Sequence, residues 1–163
     1  MMKTCAVIYN PISGKKVNFS VMPQFEKILA DYGYESKIIY TKYKGHATEI
    51  VESVESTDLV ISIGGDGTFN ESVTGNFMRK NKLVCAHIPC GTTNDIGVMM
   101  GYGKNMINNL KLTLDGVVKN VDICMINDIL EYVTFLIKCI MCTLKIVLKY
   151  YTKRALQNKV FVV

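Results

Sequence analysis

Three short polar segments carry the residue types that bind phosphate groups. They are Asn10–Lys16 (NPISGKK), Gly64–Thr68 (GGDGT) and Pro89–Asp95 (PCGTTND). Glycines let the backbone approach a ligand closely, and the free N–H groups at the start of a following helix attract anions. A carboxylate beside phosphates needs a cation or an ordered water between them, and phosphoryl transfer normally uses Mg²⁺. Together the three segments predict nucleotide-phosphate binding.

Each segment also has a simpler interpretation as a connection between a strand and a helix. The first segment is no Walker phosphate loop, because that motif needs glycine at position 9 and Ser or Thr at 16, where the chain has Tyr9 and Lys16. Thr68 and Glu71 have the spacing of a capping box, which predicts that the helix after the second segment begins near Thr68. Asn94-Asp95 could likewise cap the helix that follows the third segment.

Short apolar runs alternate with helical periodicity and must position these segments. The runs at 4–9, 36–41, 58–63, 83–88 and 117–126 predict strands, and 19–32, 47–54, 68–76, 95–100 and 105–115 predict helices. Strands that are apolar throughout are typical of a parallel sheet with helices on both faces, so the sequence predicts an α/β fold. Ligands of such sheets bind at the carboxyl ends of the strands, where all three segments lie.

Four motifs, in this order and spacing, resemble the catalytic domain of the diacylglycerol kinase/sphingosine kinase family, and most closely its soluble bacterial-type lipid kinases. They are N-P-x-S-G at 10–14, T-K-Y-K-G-H-A at 41–47, G-G-D-G-T-F-N-E at 64–71 and P-C-G-T-T-N-D at 89–95. The resemblance covers residues 3–128 and implies the N-terminal fold that NAD kinases and diacylglycerol kinases share. NAD kinases have the G-G-D-G-T element but are not expected to combine the first and last motifs, so NAD kinase is the alternative.

The resemblance implies an ATP- and Mg²⁺-dependent enzyme that phosphorylates a lipid hydroxyl, with diacylglycerol converted to phosphatidate. Asp66 and Asp95 would belong to an acidic, water-linked network near the magnesium. His46 matches the family's G-H-A, where packing or helix capping explains it as well as ligand contact does, and His87 is predicted to lie in the core. By the same resemblance ATP contacts Asn10, Pro11, Ile12, Ser13, Gly14, Thr41, Gly65, Asp66, Gly67, Thr68 and Thr92.

Residues 129–163 differ in composition from residues 1–128, which are predicted to form the nucleotide-binding domain. They contain neither Gly nor Pro, and lysines at 138, 145 and 149 interrupt any apolar span long enough to cross a membrane. They are predicted to be an aberrant tail, at most a remnant of the family's second, β-rich domain. That second domain holds the family's lipid pocket, most magnesium ligands and general base, so the resemblance implies a truncated chain with no metal ligands and little activity of its own. A non-catalytic nucleotide-binding fragment is the further alternative.

The net charge of +5 belongs to the tail, since residues 1–128 contain 13 basic and 13 acidic side chains. A neutral domain argues against a nucleic-acid partner. Most of the six cysteines lie in apolar runs and no signal peptide precedes them, which favours a reducing cytoplasm. The C-x-x-C at 139–142 is interpreted as coincidence. We expect a lipid substrate reached at the membrane surface without a transmembrane span, and the sequence leaves a homodimer open.

Overall fold

The computed structural model describes residues 2–14, 19–122, 124–126, 129–131 and 159–162. The strands are β1 (Lys3–Tyr9), β2 (Tyr34–Tyr40), β3 (Leu59–Gly64), β4 (Val84–Pro89), β5 (Lys119–Asp122), β6 (Cys124–Ile126), β7 (Ile129–Glu131) and β8 (Lys159–Val162). After a 3₁₀ turn at Phe19–Val21, the helices are α1 (Met22–Asp31), α2 (His46–Ser53), α3 (Asp66–Met78), α4 (Asp95–Met99) and α5 (Met106–Leu114).

One sheet has the strand order β2-β1-β3-β4-β8-β5. Its first four strands are mutually parallel, which confirms the predicted α/β fold with a parallel sheet. In the register, Tyr9 lies opposite Tyr40 on one side and Ile63 on the other, and Gly64 lies opposite Pro89. The carboxyl ends of these strands are therefore level, and the loops that leave them share one edge of the sheet.

Helices cover both faces of this sheet. Alternate residues of a strand point to opposite faces, so each strand contributes to two apolar cores. Ala6 and Ile8 pack in the core that includes residues of α2 and α3, among them Val51 and Phe69. Cys5, Val7 and Tyr9 pack in the other core with residues of α1 and α5, among them Phe25, Leu29 and Leu110. Burial on both faces is the reason why β1, β3 and β4 are apolar almost throughout.

The end of the described chain differs from the single strand predicted at 117–126. That stretch contains two strands: β5 joins the main sheet, and β6 pairs antiparallel with β7 in a separate ribbon. β8 lies between β4 and β5, parallel to β4 and antiparallel to β5. A strand from beyond residue 128 thus completes the sheet, while the domain boundary at 128 stays a prediction.

Most of the predicted tail lies outside the described residues. This applies to 132–158, with the lysines at 138, 145 and 149 and the C-x-x-C at 139–142. Within the described part of the chain, no helix has both the length and the apolar character needed to cross a membrane.

Candidate functional site

Asn10 organises the loop after β1 and ties it to α3. Its Nδ2 donates a hydrogen bond to Thr68 Oγ1 at 2.9 Å, and its Oδ1 accepts one from Ile12 N at 3.1 Å. The second contact is an Asx turn, which shapes the backbone of the loop locally. Ser13 Oγ also donates to the carbonyl of Asn10 at 3.2 Å. One side chain therefore sets both the shape of the first loop and its distance from the Gly64–Thr68 turn.

Gly14 is required where the first loop meets the third. Its φ is +80°, a left-handed conformation that residues with a side chain rarely adopt. A Cβ atom at this position would lie 1.9 Å from the carbonyl oxygen of Cys90, too close for any side chain. Beside it, Ser13 Oγ and Cys90 Sγ are 3.5 Å apart, and burial raises the pKa of the Cys90 thiol. The first and third loops thus touch through backbone and side chain.

The second loop passes closely against the third as well. A Cβ on Gly91 would lie 2.6 Å from the Cα of Gly65, so the backbone at Gly65 leaves no space for a side chain at position 91. Gly65 is the N-cap residue of α3, whose first turn contains Asp66 and Thr68. The start of this helix therefore faces the junction of the loops, where the positive end of the helix dipole can attract an anion.

Asp66 links the second loop to helix α4. Its Oδ2 accepts a hydrogen bond from Asp95 N at 3.0 Å, and its Oδ1 accepts one from Ile96 N at 3.3 Å. Within the described residues, the N-cap residue Asn94 makes no side-chain cap of its own, and it lies in the left-handed region with φ of 50°. The cap that the sequence suggested for Asn94-Asp95 is thus supplied by Asp66, which also brings the Asp66 carboxylate to the backbone of Asp95.

The predicted capping box of Thr68 and Glu71 is wrong. Helix α3 begins at Asp66, two residues before Thr68, so both residues lie inside the helix. Thr68 Oγ1 accepts the hydrogen bond from Asn10, and the Glu71 carboxylate accepts one from Ala47 N in α2 at 3.3 Å. Sequence reasoning missed this role of Glu71, because the pattern within α3 carries no information about a partner 24 residues earlier.

Thr41 and His46 lie at the same edge of the sheet. Thr41 is buried, and its backbone N–H donates a hydrogen bond to the carbonyl of Tyr9 at 2.9 Å. Tyr9 directly precedes Asn10. His46 Nδ1 accepts a hydrogen bond from Lys42 N at 3.0 Å, and its ring stacks on Tyr43 with centroids 4.6 Å apart. These contacts support a packing role for His46, which was the alternative to ligand contact.

His87 lies in the core beneath the glycine turn, as predicted. It is fully buried, its ring stacks on Phe69 at 4.9 Å, and its Nδ1 lies 3.2 Å from Ser62 Oγ. Its Nε2 has no hydrogen-bond partner among the described residues. Burial lowers the pKa of His87 to about 4. The imidazole is therefore neutral near pH 7.

The structure brings most of the predicted site residues into direct connection. Hydrogen bonds or close backbone contacts join Asn10, Ser13, Gly14, Gly65, Asp66, Thr68 and Asp95. Pro11 and Ile12 lie on the first loop, Thr92 lies on the third loop, and Gly67 lies in the first turn of α3. Of these residues, Ile12, Gly67 and Thr92 are exposed.

The donor set of the three loops suits nucleotide phosphates better than a bare metal ion. The close passage of Gly65 against Gly91 exposes peptide groups instead of side chains. Acidic side chains come only from Asp66 and Asp95, and nowhere in the described residues do three or more His, Cys, Asp or Glu side chains gather into a metal-binding group. A Mg²⁺ ion at these loops would therefore need phosphate oxygens and water among its ligands.

Known proteins are similar to this chain over most of its length. The diacylglycerol kinase catalytic domain family matches residues 4–126. A diacylglycerol kinase of Staphylococcus epidermidis is 37% identical over 130 residues, which are 78% of this chain and 41% of that protein. A diacylglycerol kinase of Staphylococcus saprophyticus is 33% identical over 130 residues, with 78% and 43% covered. The chain thus spans less than half the length of these curated relatives.

A solved structure shares the fold. The crystal structure of a diacylglycerol kinase from Bacillus anthracis superposes with a TM-score of 0.70 at 30% identity, covering 78% of this chain and 44% of that one. The likeness supports a parallel sheet flanked by helices as the shared architecture. The family match covers most of this chain, from the first strand to β6. The chain therefore belongs to the diacylglycerol kinase catalytic domain family.

Proposed function

We propose that this chain binds ATP together with Mg²⁺ and forms part of a lipid kinase. That kinase would transfer the γ-phosphoryl of ATP to a lipid hydroxyl. Diacylglycerol is the proposed acceptor and phosphatidate the product, as the names of its relatives suggest. The reaction would take place in the cytoplasm at the membrane surface, where the lipid is available. The same proposal includes a homodimer. The oligomeric state of the chain can be measured independently of nucleotide binding.

The convergence of three strand-end loops carries this proposal. Asn10 is bonded to Thr68, Asp66 to the backbone of Asp95, and Gly14 lies against the carbonyl of Cys90. Turn chemistry alone would satisfy each loop locally and would not need contacts between loops. A surface of glycines, hydroxyls and helix-start N–H groups is the kind that binds phosphates.

In this proposal the chain's residues act mainly by positioning, because phosphoryl transfer needs orientation and charge neutralisation more than covalent participation. The loop around Asn10 and the first turn of α3 would hold the phosphate oxygens. The carboxylates of Asp66 and Asp95 would orient water molecules, and Mg²⁺ would neutralise the charge that develops on the transferred group. We assign no general base among the described residues.

Nucleotide binding by the 163-residue chain tests the proposal directly. Calorimetric titration with ATP and Mg²⁺ is expected to show one site per chain, and Asn10→Ala is expected to weaken binding at least about tenfold by removing the bond to Thr68. Asn108→Ala, on α5, is the matched control and is expected to bind ATP as the wild type does. Absence of ATP binding by the folded wild-type chain would refute the proposed function.

Acceptor specificity is a separate measurement. Incubation with ATP, Mg²⁺ and diacylglycerol micelles is expected to give little phosphatidate with this chain, since we assign it no general base. The same chain joined to the remaining length of a relative is expected to form phosphatidate. Robust phosphorylation of NAD in either format would instead favour the NAD kinase alternative, and ATP binding without turnover in both would favour a nucleotide-binding fragment.

A further inference from the structure

Glu71 joins helix α3 to the start of helix α2. Its carboxylate Oε2 accepts a hydrogen bond from Ala47 N at 3.3 Å, and its main-chain carbonyl accepts one from Thr48 Oγ1 at 3.0 Å. Ala47 lies in the first turn of α2, where backbone N–H groups have no partner within the helix. The N-cap residue is Gly45, which has no side chain to fill that role. Glu71 therefore caps α2 from the neighbouring helix.

The two helices are packed too closely to slide past each other. A Cβ on Gly75, one turn after Glu71, would lie 2.3 Å from the carbonyl oxygen of Thr48. Close packing of this kind transmits a displacement of one helix to the other. The position of the first turn of α2 is thus set by α3, both through Glu71 and through the contact at Gly75.

The start of α2 in turn fixes the segment 41–45. His46, the first residue of α2, accepts a hydrogen bond from Lys42 N, and its ring stacks on Tyr43. At its other end the segment is anchored by the bond from Thr41 N to the carbonyl of Tyr9. A shift of α2 would therefore move residues 42–45 relative to Thr41 and the first loop.

Helix α3 carries the opposite side of the proposed nucleotide site. Its first turn holds Asp66 and Thr68, which bond to the third and first loops. We propose that Glu71 is a positioning residue that keeps segment 41–45 in register with the Gly64–Thr68 turn, so that both can contact one nucleotide. This inference rests on the proposed nucleotide binding. Glu71 acts through Ala47 and Thr48 and need not touch the ligand.

Amide hydrogen exchange of the nucleotide-free chain tests the coupling itself. In Glu71→Ala, the amide of Ala47 loses its acceptor, and we expect exchange across 42–47 to accelerate at least about tenfold. The amide of Leu83 is held by Asn76 Oδ1 at the far end of α3 and should be unchanged. Unchanged exchange across 42–47 would overturn the inference.

Nucleotide affinity tests the consequence of the coupling. We expect Glu71→Ala to weaken ATP binding about tenfold, and Glu71→Gln to stay within about threefold of wild type, because an amide oxygen can still accept from Ala47 N. Asn76→Ala is the matched control, since it removes two buried bonds to Leu83 on the same helix but far from segment 41–45. It should lower the Tm and leave the ATP affinity unchanged. Equal losses of affinity in Asn76→Ala and Glu71→Ala at similar Tm would show general destabilisation and would refute a positioning role.

The two measurements separate this inference from the proposed function. If the wild-type chain binds no ATP, the proposed function fails, while the exchange data still decide whether Glu71 holds segment 41–45. Thr48→Val removes the second link without changing Glu71 and provides the same exchange test should Glu71→Ala not fold. We expect it to accelerate exchange at Ala47 about threefold, and no change there would overturn the inference.

Discussion

At the scale of single residues, the site is held by hydrogen bonds that cross from one loop to another. Asn10 bonds to Thr68, and Asp66 bonds to Asp95 and Ile96. Each of these bonds satisfies a polar group at the end of a strand or the start of a helix. We therefore expect stability and the proposed nucleotide binding to be linked at these positions, because the same side chain supports the fold and shapes the candidate site.

Asp66 provides the first test of that link. Asp66→Ala leaves the N–H groups of Asp95 and Ile96 without their acceptor, and we expect the free energy of unfolding to fall by about 1–3 kcal/mol. Asp66→Asn keeps one acceptor oxygen and should lose less. Urea denaturation of both variants measures the difference. Equal stability of the wild type and Asp66→Ala would contradict the capping role.

Gly14 provides the second test, with Gly33 as a matched control. Both glycines have φ of +80°, so alanine at either position should cost roughly 1–2 kcal/mol of backbone strain. At Gly33 nothing lies within 4 Å of the added Cβ, whereas at Gly14 the carbonyl oxygen of Cys90 blocks it. We expect Gly14→Ala to be the less stable variant in urea denaturation and to lose at least about tenfold in ATP affinity. Gly33→Ala should bind ATP normally, and similar behaviour of the two variants would count against contact between the loops.

The sequence predicted which residue types the site would contain, but not the partner of each side chain. Glycines, amides, hydroxyls and carboxylates after apolar runs placed Gly65, Asp66 and Asn10 at one sheet edge, as the structure has them. The contacts of Asp66 with Ile96 and of Glu71 with Ala47 join residues 30 and 24 positions apart. Such contacts depend on how closely two loops or helices pack, and local spacing patterns do not record that distance.

At the scale of elements, β3, β4 and α3 enclose the imidazole of a histidine. His87 of β4 lies between Ser62 of β3 and Phe69 of α3, and it is fully buried. A cation there would lose its hydration, and no carboxylate of the described residues hydrogen-bonds to the ring. The charge of the nearby Asp66 carboxylate offsets only part of that loss. Packing of these three elements therefore favours the neutral imidazole. Protonation of His87 at acid pH should weaken this packing.

The pH dependence of unfolding tests this packing. The pKa of His87 is lowered to about 4 from an ordinary value of 6.5, so between these values the unfolded chain binds a proton that the folded chain does not. Above pH 6.5 the neutral His87 leaves the free energy of unfolding at its full value. As the pH falls from 6.5 towards 4, the free energy of unfolding decreases by about 3 kcal/mol in all, and below pH 4 it levels off. His87→Leu should remove that part of the dependence, since Ser62 Oγ can still donate to the carbonyl of Ala86. Identical slopes for the two proteins between pH 4 and 6.5 would contradict the prediction.

Element boundaries followed the sequence where periodicity determined them. They departed from it at a glycine N-cap and where strands pair over a long distance in the chain. Gly33 ends the first helix region as predicted, and β1 to β4 lie within a few residues of their apolar runs. Helix α3 begins at Asp66 instead of Thr68, because a glycine N-cap starts the helix and needs no capping side chain. The stretch 117–126 forms two strands since β5 pairs with β8, far along the chain, and β6 pairs with β7.

At the scale of the whole molecule, the final strand bears on where the domain ends. Composition predicted a boundary at residue 128, after which the chain becomes basic and lacks glycine. β8, however, pairs with β4 at Val84 and Cys85 and with β5 along Lys119–Asp122. The sheet order places β8 between those two strands, so β5 is connected to the parallel sheet through it.

Removing residues 159–163 distinguishes these two descriptions of the domain. If β8 belongs to the sheet, its loss exposes one edge of β4 and leaves β5 without its neighbour, because each strand of the pair supplies the other's hydrogen-bond partners. We expect amides of β5, and those of Val84–Cys85 that face β8, to exchange at least about tenfold faster in the shortened chain. The β1–β2 pairing, at the opposite end of the sheet, serves as the internal control and should keep its protection. Protection of β4 and β5 that survives the deletion would instead support a domain that ends near residue 128, with residues 129–163 as an appended tail.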